Sequence, residues 1–269
     1  MKKVLCIAAF LVLAAQLPLW SYDTSPSNQQ IIPEAIWAPA TGGGTWVTEI
    51  QILSLASTAA DVFAYFDVTG GTTVGPFLVS SGLTQFHSAR SANILSTLDA
   101  LDSSSFVYYG KVGALWFETS NINSLIQVQA KTVNGNYGKT FPGLNIIESN
   151  TAAEGRPMVF LDLVQNAKYR TFVGAYNTSS TATYVVRFQI INGNNVQVGS
   201  LIDKTLAPFG FISFNPFTEA AAPAGNYENC WLTVDVLSGG SDFNGVMCFG
   251  SIANNYTNDT YALIARMWN

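Results

Sequence analysis

The feature that most constrains the fold of this chain is an internal repeat. The stretch TWVTEIQILSLASTAADVFAYFD at residues 45–67 returns in diverged form as KYRTFVGAYNTSSTATYVVRFQI at residues 168–190. Aligned without a gap at an offset of 123 residues, Thr48 falls on Thr171. A unit used twice predicts two similar bodies. Each copy, at roughly 110 to 120 residues, is long enough to bury a core of its own.

Both copies show the alternation that is typical of half-buried β-strands. In the first copy, Trp46, Thr48 and Ile50 alternate with Val47 and Glu49, which is the period of two that a strand requires. The side that carries Trp46 is expected to face the core. Clusters of Ser, Thr and Asn follow in both copies, and such residues form turns by bonding their own backbone.

A second strand follows each of these turns. In the second copy, Arg187 marks the solvent-exposed face of the strand, so that Val186 and Phe188 are predicted to point into the core. The gap-free alignment transfers the same phase to the first copy. It therefore predicts that Phe63 and Tyr65 point inward as well.

The strand pattern predicts an all-β chain of two tandem antiparallel β-sandwich domains of the immunoglobulin-like type. About seven short strands per copy, with turn signals every 8 to 12 residues or so, favour this fold, and a barrel is the alternative. A polar lead-in covers residues 22–30, the first domain residues 31–153 and the second residues 154–269. The boundary lies in a polar segment that contains Gly155 and Pro157.

The first 21 residues have the layout of a secretory signal peptide. Lys2 and Lys3 precede an apolar run and a polar exit. The run is shorter than the roughly 20 residues of a membrane span, although an uncleaved anchor over residues 4–20 stays open. We expect an exported protein of the periplasm, the cell surface or the extracellular space, with no transmembrane segment after cleavage.

The low content of charged residues and the negative net charge argue against polyanionic partners. Only 11% of the residues are charged and the formal net charge is −5, whereas nucleic acids and anionic lipids are bound by basic patches. We therefore expect neither nucleic acid nor an anionic membrane surface as a partner.

Cys230 and Cys248 remain after removal of the leader. Both fall on the core phase of predicted strands that follow one another in the second copy. These strands are predicted to pair antiparallel, which places the two cysteines nearly opposite one another if the turn centres at Gly239. An oxidising compartment permits a disulfide between them, which would stabilise the fold by ~3 kcal/mol. A shift of register by one residue would instead leave two buried thiols, and the sequence leaves both readings open.

Trp116 and Trp231 fall on the outer phase of their strands. Large aromatic residues outside a core often mark a partner surface, and an indole can also stack on a sugar ring. The alternative is that a neighbouring loop or the other domain covers them. Both are candidate contacts to a partner protein or a sugar.

The sequence offers no pattern of catalytic or metal-binding residues. His87 is the only histidine, and the second copy places Asn215 at the aligned position. Glu118 and Asp235 are expected to face water on separate domains, unlike the paired carboxylates of glycosidases. The loops that contain Asp242 and Asp259 are rich in oxygen atoms but lack the EF-hand pattern. We expect no catalytic residue, no metal and no cofactor.

Several of these strings together resemble a module that occurs, often in tandem, in secreted bacterial proteins. They are WVTEIQILSLASTAADVFAYF, GALWFETS and QAKTVNGNYG in the first copy, and the second copy matches at Thr171, Asn177 and Leu206-Ala207-Pro208. The chain departs from the pattern at Ser54-Leu55, where the module carries Asn-Pro. The resemblance implies an immunoglobulin-like fold and a non-catalytic role at the cell surface.

These observations favour a non-enzymatic, exported structural or interaction protein. Its partners would be other envelope or surface proteins, or further copies of itself. The alternative is a pair of carbohydrate-binding modules that present outward aromatic residues to a glycan. An enzyme of unrecognised type is a third hypothesis.

Overall fold

The computed structural model describes residues 24–40, 43–68, 72–135, 137–145, 150–239, 245–257 and 260–268. The predicted signal peptide, and Asp242 and Asp259 with it, lie outside the described residues. Within them the chain is all-β and built from antiparallel sheets. No helix in this part of the chain combines the length and the hydrophobicity needed to cross a membrane.

The described strands and helices divide into two halves. The first half contains β1 (Gln29–Pro39), β2 (Thr45–Ser54), β3 (Ala60–Val68), β4 (Thr72–Leu83), β5 (Ser88–Ser91), α1 (Ile94–Leu101), β6 (Lys111–Thr119), β7 (Ile126–Asn134) and β8 (Tyr137–Pro142). The second half contains β9 (Thr151–Ala152), β10 (Met158–Gln165), β11 (Tyr169–Asn177), β12 (Tyr184–Ile191), β13 (Ile202–Leu206), β14 (Phe211–Phe214), α2 (Pro216–Glu219), β15 (Tyr227–Ser238), β16 (Val246–Asn254), β17 (Thr260–Ile264) and β18 (Arg266–Met267).

The order of the strands repeats between the halves. In the first half the order is β4-β3-β6-β1-β2-β7-β8, with β5 paired to β2. The second half contains the sheet β13-β12-β15-β10-β18 and the sheet β14-β11-β16-β17, with β9 paired to β16. Thus β4-β3-β6-β1 corresponds to β13-β12-β15-β10, and β5-β2-β7-β8 corresponds to β14-β11-β16-β17. The repeat in the sequence is a repeat of topology.

Each half encloses an apolar layer between its facing strands, as a sandwich does. In the first half the layer includes Val62 and Phe66 of β3 and Val128 of β7, all fully buried. In the second half it includes Val186 and Phe188 of β12. The prediction that these two side chains point into the core is therefore confirmed.

The prediction for Phe63 and Tyr65 is wrong. Both are half-buried on the outer face of β3, while Ala64 is fully buried. The turn between β11 and β12 is one residue longer than the turn between β2 and β3. Because side chains alternate along a strand, one extra residue moves the whole strand to the opposite phase. The gap-free alignment is valid for the first strand of each copy and fails at the turn.

In each half, a buried threonine forms hydrogen bonds to the backbone of a neighbouring strand. This shared role explains why Thr48 and Thr171 recur. Thr48 Oγ1 accepts a hydrogen bond from the Ile36 amide at 2.9 Å and lies 3.3 Å from its carbonyl oxygen. Thr171 Oγ1 makes the same pair with Val164, at 3.0 and 2.7 Å. Both contacts lie on strands whose register shifts along their length. Each threonine therefore satisfies backbone groups that the sheet leaves unpaired.

The two halves pack against each other through sheet faces. Strand β16 is buried at every position except the last, which requires cover on both of its faces. Its inner face meets the core of the second half, and Phe249 on its outer face contacts Phe141 of the first half, with ring centroids 6.2 Å apart. Ile31 and Ala114 of the first half belong to the same apolar cluster. The face formed by β1 and β6 is thus closed by the second half.

Candidate functional site

The two cysteines lie inside the second half, as predicted from their phase. Cys230 and Cys248 are almost fully buried, and both are thiols. Their sulfur atoms lie 3.8 Å from the carbonyl oxygen of Glu228 and 3.7 Å from that of Val246, respectively. Burial raises the pKa of both thiols, which disfavours the reactive thiolate.

The predicted pairing of the strands that carry the cysteines is wrong. Strand β15 pairs with β10 and β12, and β16 pairs with β11, β17 and β9. The chain changes sheet between β15 and β16. Consecutive strands of a sandwich need not be neighbours in one sheet, and the alternation of side chains carries no information about which sheet a strand joins.

Trp116 is covered by the second half of the chain. Its side chain is half-buried, and Nε1 donates a hydrogen bond to the hydroxyl oxygen of Tyr176 at 2.7 Å. The ring of Phe209 lies edge-on, with centroids 6.5 Å apart. Of the two readings that the sequence left open for Trp116, the contacts match cover by the other half of the chain.

Asp67 lies at the centre of this contact and is 1% exposed. Its carboxylate accepts hydrogen bonds from the hydroxyl groups of Tyr176 and Thr73. Burial raises the pKa of Asp67, and the hydrogen bonds from Thr73, Tyr176 and Trp116 oppose that rise. Burial and the neighbouring carboxylate also raise the pKa of Tyr176. The hydroxyl of Tyr176 therefore stays protonated and donates its hydrogen bond. Asp67, Trp116 and Tyr176 together form a polar link between the halves.

Trp231 lies on the outer face of the second half. It is half-buried and meets the ring of Trp268 at 4.9 Å between centroids, at an interplanar angle of 69°. Strand β18 pairs with β10, and this pairing brings Trp268 close to Trp231. Ile191 pairs directly with Trp231. Trp268 is 44% exposed and Leu161 of β10 is 47% exposed. We name Leu161, Ile191, Trp231 and Trp268 the outer aromatic patch.

The patch lies at a position that is buried in the first half. Asp67 pairs with Ala114 in the first half, and Ile191 pairs with Trp231 in the second. Because the two strand pairs correspond in topology and in register, Trp231 is the counterpart of Ala114. Ala114 is fully buried against the second half, whereas its counterpart is half-exposed.

A cavity of 510 Å³ lies between the halves. The first half contributes Trp46 and the ion pair between Glu34 and Lys139, and the second contributes Arg170 and Phe172. We name this cavity the inter-half cleft. The remaining lining residues are Ile36, Ala40, Gly43, Val112, Thr132, Asn134, Ser213, Ser251, Ala253 and Thr260.

The charged groups of the cleft have protein partners. The carboxylate of Glu34, whose side chain is 9% exposed, binds Lys139 Nζ, whose side chain is 15% exposed. Arg170 Nη1 donates to Asn255 Oδ1 at 2.7 Å, and its guanidinium lies 5.6 Å from the centroid of the Phe172 ring. Sequence reasoning missed this site. The signal that could have pointed to it is Glu34, a carboxylate inside the apolar strand IIPEAIW.

The other candidate chemical groups are separate from one another. His87 is exposed, and its Nδ1 lies 3.0 Å from Thr84 Oγ1. Glu118 accepts a hydrogen bond from Tyr65 at 2.5 Å. Burial and that hydrogen bond raise the pKa of Tyr65 to about 12. Among the described residues, no three His, Cys, Asp or Glu side chains cluster as metal ligands would.

The counterpart of His87 differs from the predicted one. The amide of Ser54 donates to the His87 carbonyl, and the amide of Asn177 donates to the Gly210 carbonyl. His87 therefore corresponds to Gly210. Asn215, which the sequence alignment had matched to His87, is the N-terminal cap of α2. In the second half, a glycine occupies the position of this histidine in the corresponding turn.

Comparisons with known proteins give little further information. No family model matches the chain, and no curated protein matches it. Among solved structures, a chain from the structure of infectious bursal disease virus Gx strain is 8% identical, with a TM-score of 0.21. That alignment covers 91% of this chain and 62% of the viral chain. A TM-score this low carries no argument about fold or function.

Proposed function

We propose that this protein is a non-enzymatic, exported interaction protein of the bacterial envelope or cell surface. In this proposal the two halves are tandem immunoglobulin-like domains that present sheet faces to protein partners or to further copies of the chain. The observation that carries the proposal is the outer aromatic patch. It occupies, on the second half, the place that the first half uses for docking.

The first half supplies the precedent for this use. Its β1–β6 face buries Ile31, Ala114 and part of Trp116 against another sheet. The second half carries Trp231 at the position of Ala114, with Trp268 and Leu161 beside it. Tryptophan is enriched in interface hot spots, and a contiguous exposed apolar patch commonly marks an interaction site.

The surroundings of the patch suit a protein interface. On the same sheet, Arg187 forms two hydrogen bonds of 2.8 Å to Asp203. Asp235 pairs directly with Arg187 and lies on β15, the strand that carries Trp231. Protein interfaces commonly combine an apolar centre with a polar rim. The charged pair is exposed, so that it would contribute specificity more than affinity.

The proposal is tested with the full exported chain and envelope extract from its native host. Tagged wild-type protein and the variant Trp231→Ala are used to capture partners, and self-association is measured by light scattering. Ile122→Ala is the matched control, because Ile122 is an exposed apolar residue of the first half, 75% exposed. We expect Trp231→Ala to lose the captured partner or the self-association and Ile122→Ala to retain it. The proposal is wrong if the wild type associates with nothing, or if association is the same in all three proteins.

A further inference from the structure

The inter-half cleft is a second site, separate from the outer aromatic patch, and the proposed function does not use it. We infer that the cleft binds a short, uncharged oligosaccharide. Two aromatic side chains, Trp46 and Phe172, would contact the apolar faces of the sugar rings. The hydroxyl, amide and carboxylate groups of the lining would bind the sugar hydroxyls.

The size and the opening of the cleft suit a small ligand. Its volume of 510 Å³ lies within the roughly 300 to 1,000 Å³ of small-molecule sites. Gly43 and Ser213 are exposed and mark its mouth, whereas Thr132 and Ser251 are buried at its floor. A ligand that entered would therefore contact both halves of the chain.

The aromatic residues of the lining come from different halves. Trp46 belongs to β2 and Phe172 to β11, and both are half-buried, so that ring surface stays accessible inside the cleft. A sugar ring has an apolar C–H face that packs on an aromatic ring. An indole can in addition donate its N–H to a polar group at the edge of the ligand.

The polar groups of the lining both donate and accept hydrogen bonds. Asn134 Nδ2 donates to the Gly43 carbonyl at 3.2 Å, and Thr260 Oγ1 donates to the Gly138 carbonyl at 2.9 Å. These bonds hold the two side chains in place, while Asn134 Oδ1 and the lone pairs of Thr260 Oγ1 can accept. Sugar hydroxyls also combine a donor with an acceptor, and such a lining matches them.

The charges in the cleft argue for a neutral polar ligand. Lys139 binds Glu34, so that their charges offset each other. Arg170 keeps its positive charge, but its guanidinium donates to Asn255 and lies over the ring of Phe172, so that it is one held cation and not a cluster of cations. Phosphate sites instead concentrate positive charge. A purely apolar ligand would remove water from the ion pair without replacing its hydrogen bonds, which is costly for a buried pair. Sugar hydroxyls can replace that water.

The test begins with the chain on an array of defined neutral and uronic-acid-bearing oligosaccharides. The best neutral probe is then titrated by calorimetry. We expect Trp46→Ala to weaken binding by roughly tenfold, which corresponds to about 1.4 kcal/mol, because the sugar ring loses its aromatic contact. Trp231→Ala is the matched control, a tryptophan outside the cleft, and is expected to bind the probe as the wild type does.

A second variant keeps the test sharp if Trp46→Ala lowers the melting temperature. Ser213→Trp places a large side chain at the exposed mouth and is expected to abolish binding without a loss of stability. The inference is overturned if no oligosaccharide binds. It is also overturned if only uronic acids bind, if Trp231→Ala removes binding, or if Trp46→Ala and Ser213→Trp both leave binding unchanged. Capture of protein partners through the outer aromatic patch is measured on the same variants, so that failure of one proposal is distinguishable from failure of the other.

Discussion

The hydroxyl of Tyr176 donates a hydrogen bond to the carboxylate of Asp67, 109 residues away in the chain. Trp116 Nε1 donates to the same hydroxyl oxygen at 2.7 Å. One buried tyrosine thus satisfies a carboxylate and an indole of the other half. Buried polar groups are costly when they lose a partner, so that this link favours one relative placement of the two sheet faces.

Removal of the Tyr176 hydroxyl should therefore destabilise the protein. We expect Tyr176→Phe to lower the free energy of unfolding by about 2 to 3 kcal/mol, because Asp67 loses a donor and Trp116 loses its acceptor. Tyr65→Phe is the control. Its hydroxyl binds Glu118 near the surface, and its loss should cost about 1 kcal/mol or less. Urea unfolding measures both, and equal losses would contradict the role assigned to Tyr176.

The raised pKa of Asp67 predicts a specific pH dependence. The folded protein holds a proton on Asp67 at a pH where the unfolded chain, with an ordinary pKa near 3.8, has lost it. Stability contributed at Asp67 is therefore present at low pH and falls as pH rises from the unfolded to the folded pKa. The variant Asp67→Asn lacks this titration.

The measurement is the free energy of unfolding of the wild type minus that of Asp67→Asn, followed from about pH 4 to pH 7. All other titrating groups are common to both proteins and cancel in the difference. We expect the difference to fall as pH rises and then to level off. A difference that rises with pH would mean that the hydrogen bonds from Thr73 and Tyr176 outweigh desolvation.

The repeated threonine predicts equal losses in the two halves. Thr48→Val and Thr171→Val keep the shape of the side chain but remove the partner of a strand amide, at Ile36 and Val164 respectively. We expect each to cost about 1 to 3 kcal/mol of unfolding free energy. Thr205→Val, at an exposed strand position, is the control and should change stability little. A large loss in one half with none in the other would refute the shared role.

The cysteines should react only after unfolding. The sample is the chain produced without residues 1–21, which removes Cys6. The thiols of Cys230 and Cys248 are buried, and burial raises their pKa values. We expect no alkylation of the folded protein and two alkylations in denaturant without a reducing agent. Intact-mass measurement checks this result. A mass unchanged by alkylation in denaturant, and shifted only after reduction, would show that Cys230 and Cys248 form a disulfide.

The period of two in the sequence was sufficient to predict the strands and the faces on which most side chains lie. It predicted the burial of Val186 and Phe188, and of both cysteines. It failed for Phe63 and Tyr65 because a turn differs in length by one residue between the copies. The length of a turn sets strand phase, and a comparison without gaps cannot detect such a difference.

The arrangement of the halves lay beyond the sequence. Trp116 could be placed on an outer face, but its cover by Tyr176 depends on how two sheets pack. The ion pair of the cleft joins Glu34 and Lys139, which are far apart in the chain, and no local pattern relates them. The strand order is likewise not predictable from the order of the strands in the chain, since the consecutive strands β15 and β16 lie in different sheets.

If the outer aromatic patch is a docking surface, site-specific cross-linking in living cells should capture the protein that binds there. A photo-reactive phenylalanine analogue replaces Leu161 in one strain of the native host and Ile122 in another. After illumination, we expect a defined cross-linked species, either a second copy of the chain or an envelope protein, from position 161 and none from position 122. No cross-link at position 161, or the same products from both positions, would contradict it.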